Sequence, residues 1–123
     1  MGNPFVHLEL NTTDTAAAKE FYSGLFGWTF TDNDMGNGIV YSVFKPAEGP
    51  GGGIFSIPDM PTRWLAYVGV EDIKQSTEKA VSLGATLHIG PQEVPDMGWF
   101  SILGDPAGAA FALWQSTNMP AKE

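Results

Sequence analysis

Near the start of the chain Val6, Leu8 and Leu10 alternate with His7, Glu9 and Asn11, the period-two pattern of a strand with one face on a core. The opposite face carries an imidazole and a carboxylate, so it either looks into a ligand cavity or lies open to water. The period then changes. Thr12-Thr13-Asp14 offers an N-cap, and Ala18, Phe21, Tyr22 and Leu25 recur at helical spacing on the buried side of a predicted helix over Thr15 to Phe26. Gly27 is a natural stop. Strands are predicted at Trp28 to Asp32, Ile39 to Phe44 and Ile54 to Ile57, separated by the turn residues Asn33 to Gly38 and a loop from Lys45 to Pro50. Gly51-Gly52-Gly53 leads into the last of them, and Pro58 and Pro61 mark residues 58–63 as a linker.

The second half repeats the first. Trp64 to Val70 reads as a strand, and Asp72 with Gln75 three residues on has capping-box spacing. Ile73, Thr77, Ala80 and Val81 make the buried stripe of the helix that follows, and Gly84 ends it. Ala85 to Gly90 is a strand, Pro91 to Gly98 a loop, and Trp99 to Gly104 a strand. Asp105-Pro106-Ala107-Gly108 is a tight turn by composition, Ala109 to Gln115 is the last strand, and residues 116–123 read as a frayed tail. Strand, helix and three strands are thus written twice, as module one (4–57) and module two (64–115). A repeat of roughly 60 residues is a duplicated supersecondary unit and not a solenoid. The predicted fold class is α+β, with two βαβββ modules forming curved mixed sheets around a concave cup and the helices outside.

Composition narrows the chemistry. A chain of 123 residues, 43% hydrophobic and 16% charged, can bury the core of one domain without staples. Six Lys and Arg against 14 Asp and Glu give a net charge of −8, a field that repels nucleic-acid phosphates and anionic lipid. The absence of cysteine excludes disulfides, thiolate nucleophiles and Cys-ligated metals, and fits a reducing cytoplasm. Met1-Gly2-Asn3-Pro4 has no signal-peptide character, and no apolar run approaches a membrane span. A soluble cytoplasmic protein with no membrane and no nucleic-acid partner is expected.

Three motifs, in this order along the chain, carry a resemblance: Phe5-Val6-His7-Leu8-Glu9-Leu10, then Ala18-Lys19-Glu20-Phe21-Tyr22 running to Leu25-Phe26-Gly27-Trp28, and Asp105-Pro106-Ala107-Gly108 before the last strand. The chain resembles the vicinal oxygen chelate superfamily, which includes glyoxalase I, bleomycin-resistance proteins and extradiol dioxygenases. This fold hosts unrelated activities. The resemblance implies four inward-facing ligand positions for a divalent metal, which fall here on His7, Phe55, Leu65 and Ala112. Only His7 can ligate, so the usual metal site is expected to be absent. The resemblance also implies a homodimer in which exposed sheet edges are covered.

Strand alternation and the resemblance together put Phe55, Ile57, Leu65, Tyr67, Ala112 and Trp114 on the cup face beside His7 and Glu9. Such aromatics are more often core or subunit contact than ligand cage, yet aromatic surface with a few polar groups is also how small organic ligands are held. His7 and Glu9 are candidates for proton transfer or for polar contacts to a ligand, whereas His88 reads as an exposed or edge position. The triglycine stretch does not enter a helix and lacks the Gly-Lys-Ser/Thr ending, so it is no phosphate loop; close backbone approach at a sheet bend explains it better. The expected function is to bind or process a small apolar or aromatic metabolite in the cup without a metal cofactor. The alternative is a Zn-, Ni-, Fe- or Mn-dependent lyase, isomerase or dioxygenase of the glyoxalase I type, its ligands completed across a dimer.

Overall fold

The computed structural model describes residues 2–36 and 38–117. It contains eight strands and two helices in the order β1 (Phe5–Asn11), α1 (Thr15–Phe26), β2 (Phe30–Asp34), β3 (Val40–Phe44), β4 (Gly51–Phe55), β5 (Arg63–Gly69), α2 (Ile73–Ser82), β6 (Thr86–Val94), β7 (Gly98–Gly104) and β8 (Ala110–Ser116). This is the α+β order written in the sequence. The chain divides into two compact units, one of His7–Leu65 and one of residues from Ala66 onward together with the segment that ends at Val6.

In the first unit the hydrogen-bonded order is β2-β3-β4-β1, with β1 and β4 parallel and the other pairs antiparallel. Register puts Leu8 opposite Gly52 and Leu10 opposite Ile54, so these residues share one face while His7, Glu9 and Asn11 take the other. Leu10, Phe44 and Ile54 form the buried core, covered by Ala18, Tyr22, Trp28 and Phe30. Asp14 caps α1 by accepting the Ala17 N–H at 2.9 Å, and Gly27 ends it in the left-handed conformation at φ 76°.

The predicted stripe of α1 needs correcting. Ala18 and Tyr22 do pack on the core, but no residue of α1 is fully buried, and Phe21 and Leu25 are 59% and 58% exposed. Only the Ala18 and Tyr22 side of the stripe meets the core. Trp28 also leaves the predicted strand and stacks on Phe44 at 4.3 Å between ring centroids, so β2 begins two residues later. The glycines predicted to precede β4 lie within it.

The second unit repeats the arrangement as β5-β8-β7-β6, with β5 and β8 parallel. Val70, Ile73, Leu103 and Leu113 form its core, joined by Val68, Ala80, Ala85 and Phe111. Burying one such aliphatic side chain is worth about 1.5–3 kcal/mol, so packing holds α2 more firmly than helix propensity does. Thr77 and Ser101, both buried, satisfy each other at 2.9 Å between helix and sheet. Asp72 accepts the Gln75 N–H at 3.0 Å, and the Gln115 side chain accepts the Ile73 N–H at 2.7 Å. Val81, predicted buried, is 46% exposed.

The loop predicted at Pro91 to Gly98 is a second correction, because β6 continues to Val94. Register shifts between Leu87 and Gln92 let the strand absorb Gly90-Pro91 as an irregularity, and β6 lies at the edge of its sheet, where a missing N–H is tolerated. Asp105 makes the predicted turn by accepting the N–H groups of Ala107 and Ala109, each at 2.9 Å. Of the predicted frayed tail, Ser116 belongs to β8, and residues 118–123 lie outside the described residues.

Asn11 anchors the linker. Its buried amide donates to the carbonyls of Met60 and Pro61 at 3.1 and 3.0 Å and accepts the Ile57 N–H at 2.8 Å. Replacing Asn11 by Ala strands these groups, and each unsatisfied buried group costs about 1–3 kcal/mol. Asn11→Ala is expected to lower the unfolding free energy by about 2–3 kcal/mol, measured by urea denaturation. A loss below about 0.5 kcal/mol would mean that water replaces the amide.

Candidate functional site

In the first unit, the sheet face opposite α1 carries His7 and Glu9 from β1, Tyr41 from β3 and Phe55 from β4. Tyr41 is the residue that sequence reasoning missed. Its hydroxyl donates to Glu9 Oε2 at 2.8 Å and lies 2.5 Å from His7 Nε2. His7 and Glu9 are themselves 3.9 Å apart between Nε2 and Oε2, so the phenol is the hydrogen-bonding bridge between them. With the single hydroxyl proton given to Glu9, His7 meets the phenolic oxygen through Nε2–H. The His7 and Tyr41 rings lie nearly parallel, at 17° with centroids 6.1 Å apart, and Phe55 meets Tyr41 edge-on at 5.3 Å.

Gly53 makes that placement possible. A Cβ built on Gly53 would overlap the Tyr41 ring, so any larger residue would push the phenol off β4. At Gly52, on the core side, a Cβ would overlap the Leu8 carbonyl and the Phe44 ring. The triglycine stretch therefore does bring strands and rings close. The missed signal was Tyr41 alternating with Val43 beside a strand that has no side chains at the matching positions.

Burial lowers the His7 pKa below its ordinary value, and the Glu9 carboxylate opposes that only in part. The imidazole is therefore neutral at pH 7, and its two nitrogens have different roles. His7 and Glu9 remain partly accessible, at 32% and 15% of their side-chain surfaces. A neutral imidazole, a phenol and a carboxyl group in one hydrogen-bonded row can donate to, accept from, or exchange protons with a polar group of a ligand.

The other residues assigned to the cup fall elsewhere. Ile57, half-buried, lies just past β4 in the segment that Asn11 holds, and Leu65 is buried in β5. Tyr67 and Ala112, both buried, pair across β5 and β8, and the half-buried Trp114 lies on the same face two residues on. That face is the one opposite α2 in the second unit. The metal positions implied by the resemblance hold one imidazole and three hydrocarbon side chains, at Phe55, Leu65 and Ala112, so the residues do not fit a chelated divalent ion. Among the described residues no three His, Cys, Asp or Glu side chains cluster in a way that could hold one.

Comparison with known proteins gives this site its context. A family model described as a glyoxalase-like domain matches residues 7–114. The chain belongs to the glyoxalase-like domain family. With it comes membership of the vicinal oxygen chelate superfamily. CFP32 of Mycobacterium tuberculosis, which carries a provisional glyoxylase name, is 36% identical over 117 residues, covering 90% of this chain and 45% of the relative. The anthracycline biosynthesis protein DnrV of Streptomyces peucetius is 32% identical over 131 residues, covering 94% of this chain and 48% of the relative. This glyoxalase-like chain thus spans about half the length of the curated relatives it matches. Among solved structures, methylmalonyl-CoA epimerase from Mycobacterium tuberculosis superposes with a TM-score of 0.71 at 14% identity, covering 93% of this chain and 88% of that one. The hypothetical protein BH1468 of Bacillus halodurans superposes at 0.76 with 12% identity, covering 99% and 100%. At such identities the likeness is one of fold. Among the described residues no helix is long and apolar enough to cross a membrane.

Two measurements test the geometry. Gly53→Ala is expected to destabilise the domain by about 1–3 kcal/mol through overpacking, and by less than half as much in a Tyr41→Ala background, because the ring is what the new methyl meets. Equal costs in both backgrounds would remove Tyr41 from the explanation. The second follows from the lowered His7 pKa. Between that value and the unfolded value near 6.5, the unfolded chain binds the extra proton, so stability rises with pH across this window and falls on acidification. The loss of stability on going from pH 7.5 to 5, read from urea midpoints, is therefore expected to be smaller in His7→Gln than in the wild type. An unchanged pH dependence would mean that the imidazole is not desolvated.

Proposed function

We propose that this glyoxalase-like domain binds a small organic metabolite with an apolar or aromatic body and one polar group, and holds that group at the His7–Tyr41–Glu9 row. The observation that carries this reading is the Tyr41 hydroxyl bridging a neutral imidazole and a carboxyl group on a partly open sheet face. This face combines aromatic surface with a few fixed polar groups, the usual make-up of a small-molecule site. Phe55, which packs edge-on against Tyr41, and the half-buried Ile57 of the same unit are proposed to meet the apolar body. Where the ligand turns over, the chemistry is proton transfer of the lyase or isomerase kind, with His7 or Glu9 as the base. No divalent metal is required in this reading, since three of the four aligned ligand positions carry no donor atom. A cytoplasmic setting accords with the cysteine-free composition.

Relatives lend support of two kinds. DnrV is named for a part in anthracycline biosynthesis, and the structural neighbours include methylmalonyl-CoA epimerase in complex with methylmalonyl-CoA. The second reading is a metal-dependent lyase, isomerase or dioxygenase whose ligand set a partner chain completes. His7 is its one foothold here.

A thermal-shift panel of neutral aromatic metabolites tests the first reading. A true ligand at a hundred times its Kd stabilises by about 2.7 kcal/mol, and that gain is expected to drop sharply in Tyr41→Phe and His7→Ala. A panel that leaves the wild type unmoved, or shifts wild type and variants alike, counts against the site. Metal analysis of protein purified without chelator separates the two readings. Stoichiometric Zn, Ni, Fe or Mn that disappears in His7→Ala would replace the first reading with the second.

A further inference from the structure

The second unit has a groove on its helix side, between α2 and the strands β6 and β7. It encloses about 820 Å³, the size of a cleft that takes one small organic molecule. Its walls are hydrocarbon and aromatic: Ile73 and Val81 from α2, Leu87 and Pro91 from β6, and Trp99 from β7. The floor is fixed, because Thr77 and Ser101 satisfy each other at 2.9 Å and Ile73 belongs to the core. Val81, Leu87 and Trp99 nevertheless remain 46%, 40% and 36% exposed. Apolar surface is therefore offered to whatever enters.

The two ends of the groove differ in charge. Gln115, Trp99 and Glu93 form one row across β8, β7 and β6, because Trp99 is the register partner of both others. Gln115 accepts the Ile73 N–H at 2.7 Å, which brings the start of α2, with Asp72, to the same row. Trp99 thus stands between the carboxylates of Asp72 and Glu93, both on exposed residues. Asp72 spends one oxygen, Oδ1, on the Gln75 N–H, and its full charge outweighs the roughly half positive charge of a helix end. Lys74 is the cation lining the groove, and Glu78 lines it four residues on along α2, where opposite charges offset each other. Negative charge therefore predominates at the Trp99 end, while Val81 and Leu87 keep the other end apolar.

We infer that this groove is a second ligand site, for an amphiphilic organic ammonium compound. The ammonium group lies over the Trp99 ring between Asp72 and Glu93, and the apolar body lies along Pro91, Leu87 and Val81. A cation gains twice at that end. The carboxylates attract it, and the face of a tryptophan is the best aromatic partner for positive charge, worth about 0.5–2 kcal/mol. An organic anion of the same shape loses both gains and also meets the repulsion of a chain that carries −8. The site belongs to the other unit from the His7–Tyr41–Glu9 row and lies on the helix side of its sheet, so the two sites stand or fall separately.

Titrating the isotope-labelled 123-residue chain with phenethylamine, followed by NMR, tests the inference. Phenethyl alcohol and hydrocinnamate serve as neutral and anionic probes with a similar body. The amine is expected to shift the Trp99 indole N–H and the Leu87 and Val81 signals, and to bind at least about fivefold more tightly than the alcohol. Asn also caps helices, so the double variant Asp72→Asn, Glu93→Gln removes charge while keeping the cap. It is expected to lower the amine's affinity to that of the alcohol. Should that variant fail to fold, added salt serves in its place, weakening the amine in the wild type and sparing the alcohol. The inference is overturned by hydrocinnamate binding as tightly as the amine, or by an amine affinity that neither the variant nor salt changes. It is also overturned if millimolar amine moves no signal, or moves only those around Tyr41.

Discussion

The central strand of the first unit has no side chain where it is most crowded. At Gly52 the Leu8 carbonyl and the Phe44 ring press on one face of β4, and at Gly53 the Tyr41 ring lies on the other. Two aromatic rings thus clasp a bare backbone from opposite sides, one belonging to the core and one to the candidate site. Any larger residue would have to displace backbone or a packed ring. Close packing makes such a displacement costly, so the fold of this unit and the geometry of its polar row depend on the same two residues.

That coupling explains how a chemically modest set of groups becomes a site. His7 and Glu9 stand too far apart for a direct hydrogen bond, and Tyr41 closes the interval. Partial burial keeps the imidazole neutral, which preserves its ability to accept as well as donate. The glyoxalase-like family supplies the framework, and a shared framework is compatible with quite different chemistries. In this chain the positions that the resemblance aligns with metal ligands carry mostly hydrocarbon, and the polar groups of the candidate site stand in a row running from β1 to β3.

The two helices occupy equivalent places in the two units, yet they meet different needs. Ile73 and Thr77 of α2 are fully buried, and its N-terminus is secured by Asp72 and by Gln115 from β8. α1 has no fully buried residue and turns phenylalanines outward. The aromatic chain from Phe44 through Trp28 to Phe26 connects the core of the first unit to that outer surface. Packing inside the unit and the exposed aromatic surface outside it therefore share one set of rings.

Local chemistry alone determined a good deal. Alternation in β1, the caps at Asp14 and Asp72, the stop at Gly27 and the Asp105 turn are written in neighbouring residues, because each depends on backbone groups only a few positions away. The duplicated βαβββ order follows from them, and so does the shared face of His7 and Glu9. Tertiary structure decided the rest. Tyr41 is 32 residues from Glu9 in sequence, and no local pattern says which ring will fill the space over a distant glycine. The passage of β6 through Gly90-Pro91 depended on lying at an edge. Whether Phe21 and Leu25 were buried depended on which side of α1 the core of the unit met. A hydrophobic period shows which side chains share a face, but only the assembled layers determine what that face meets.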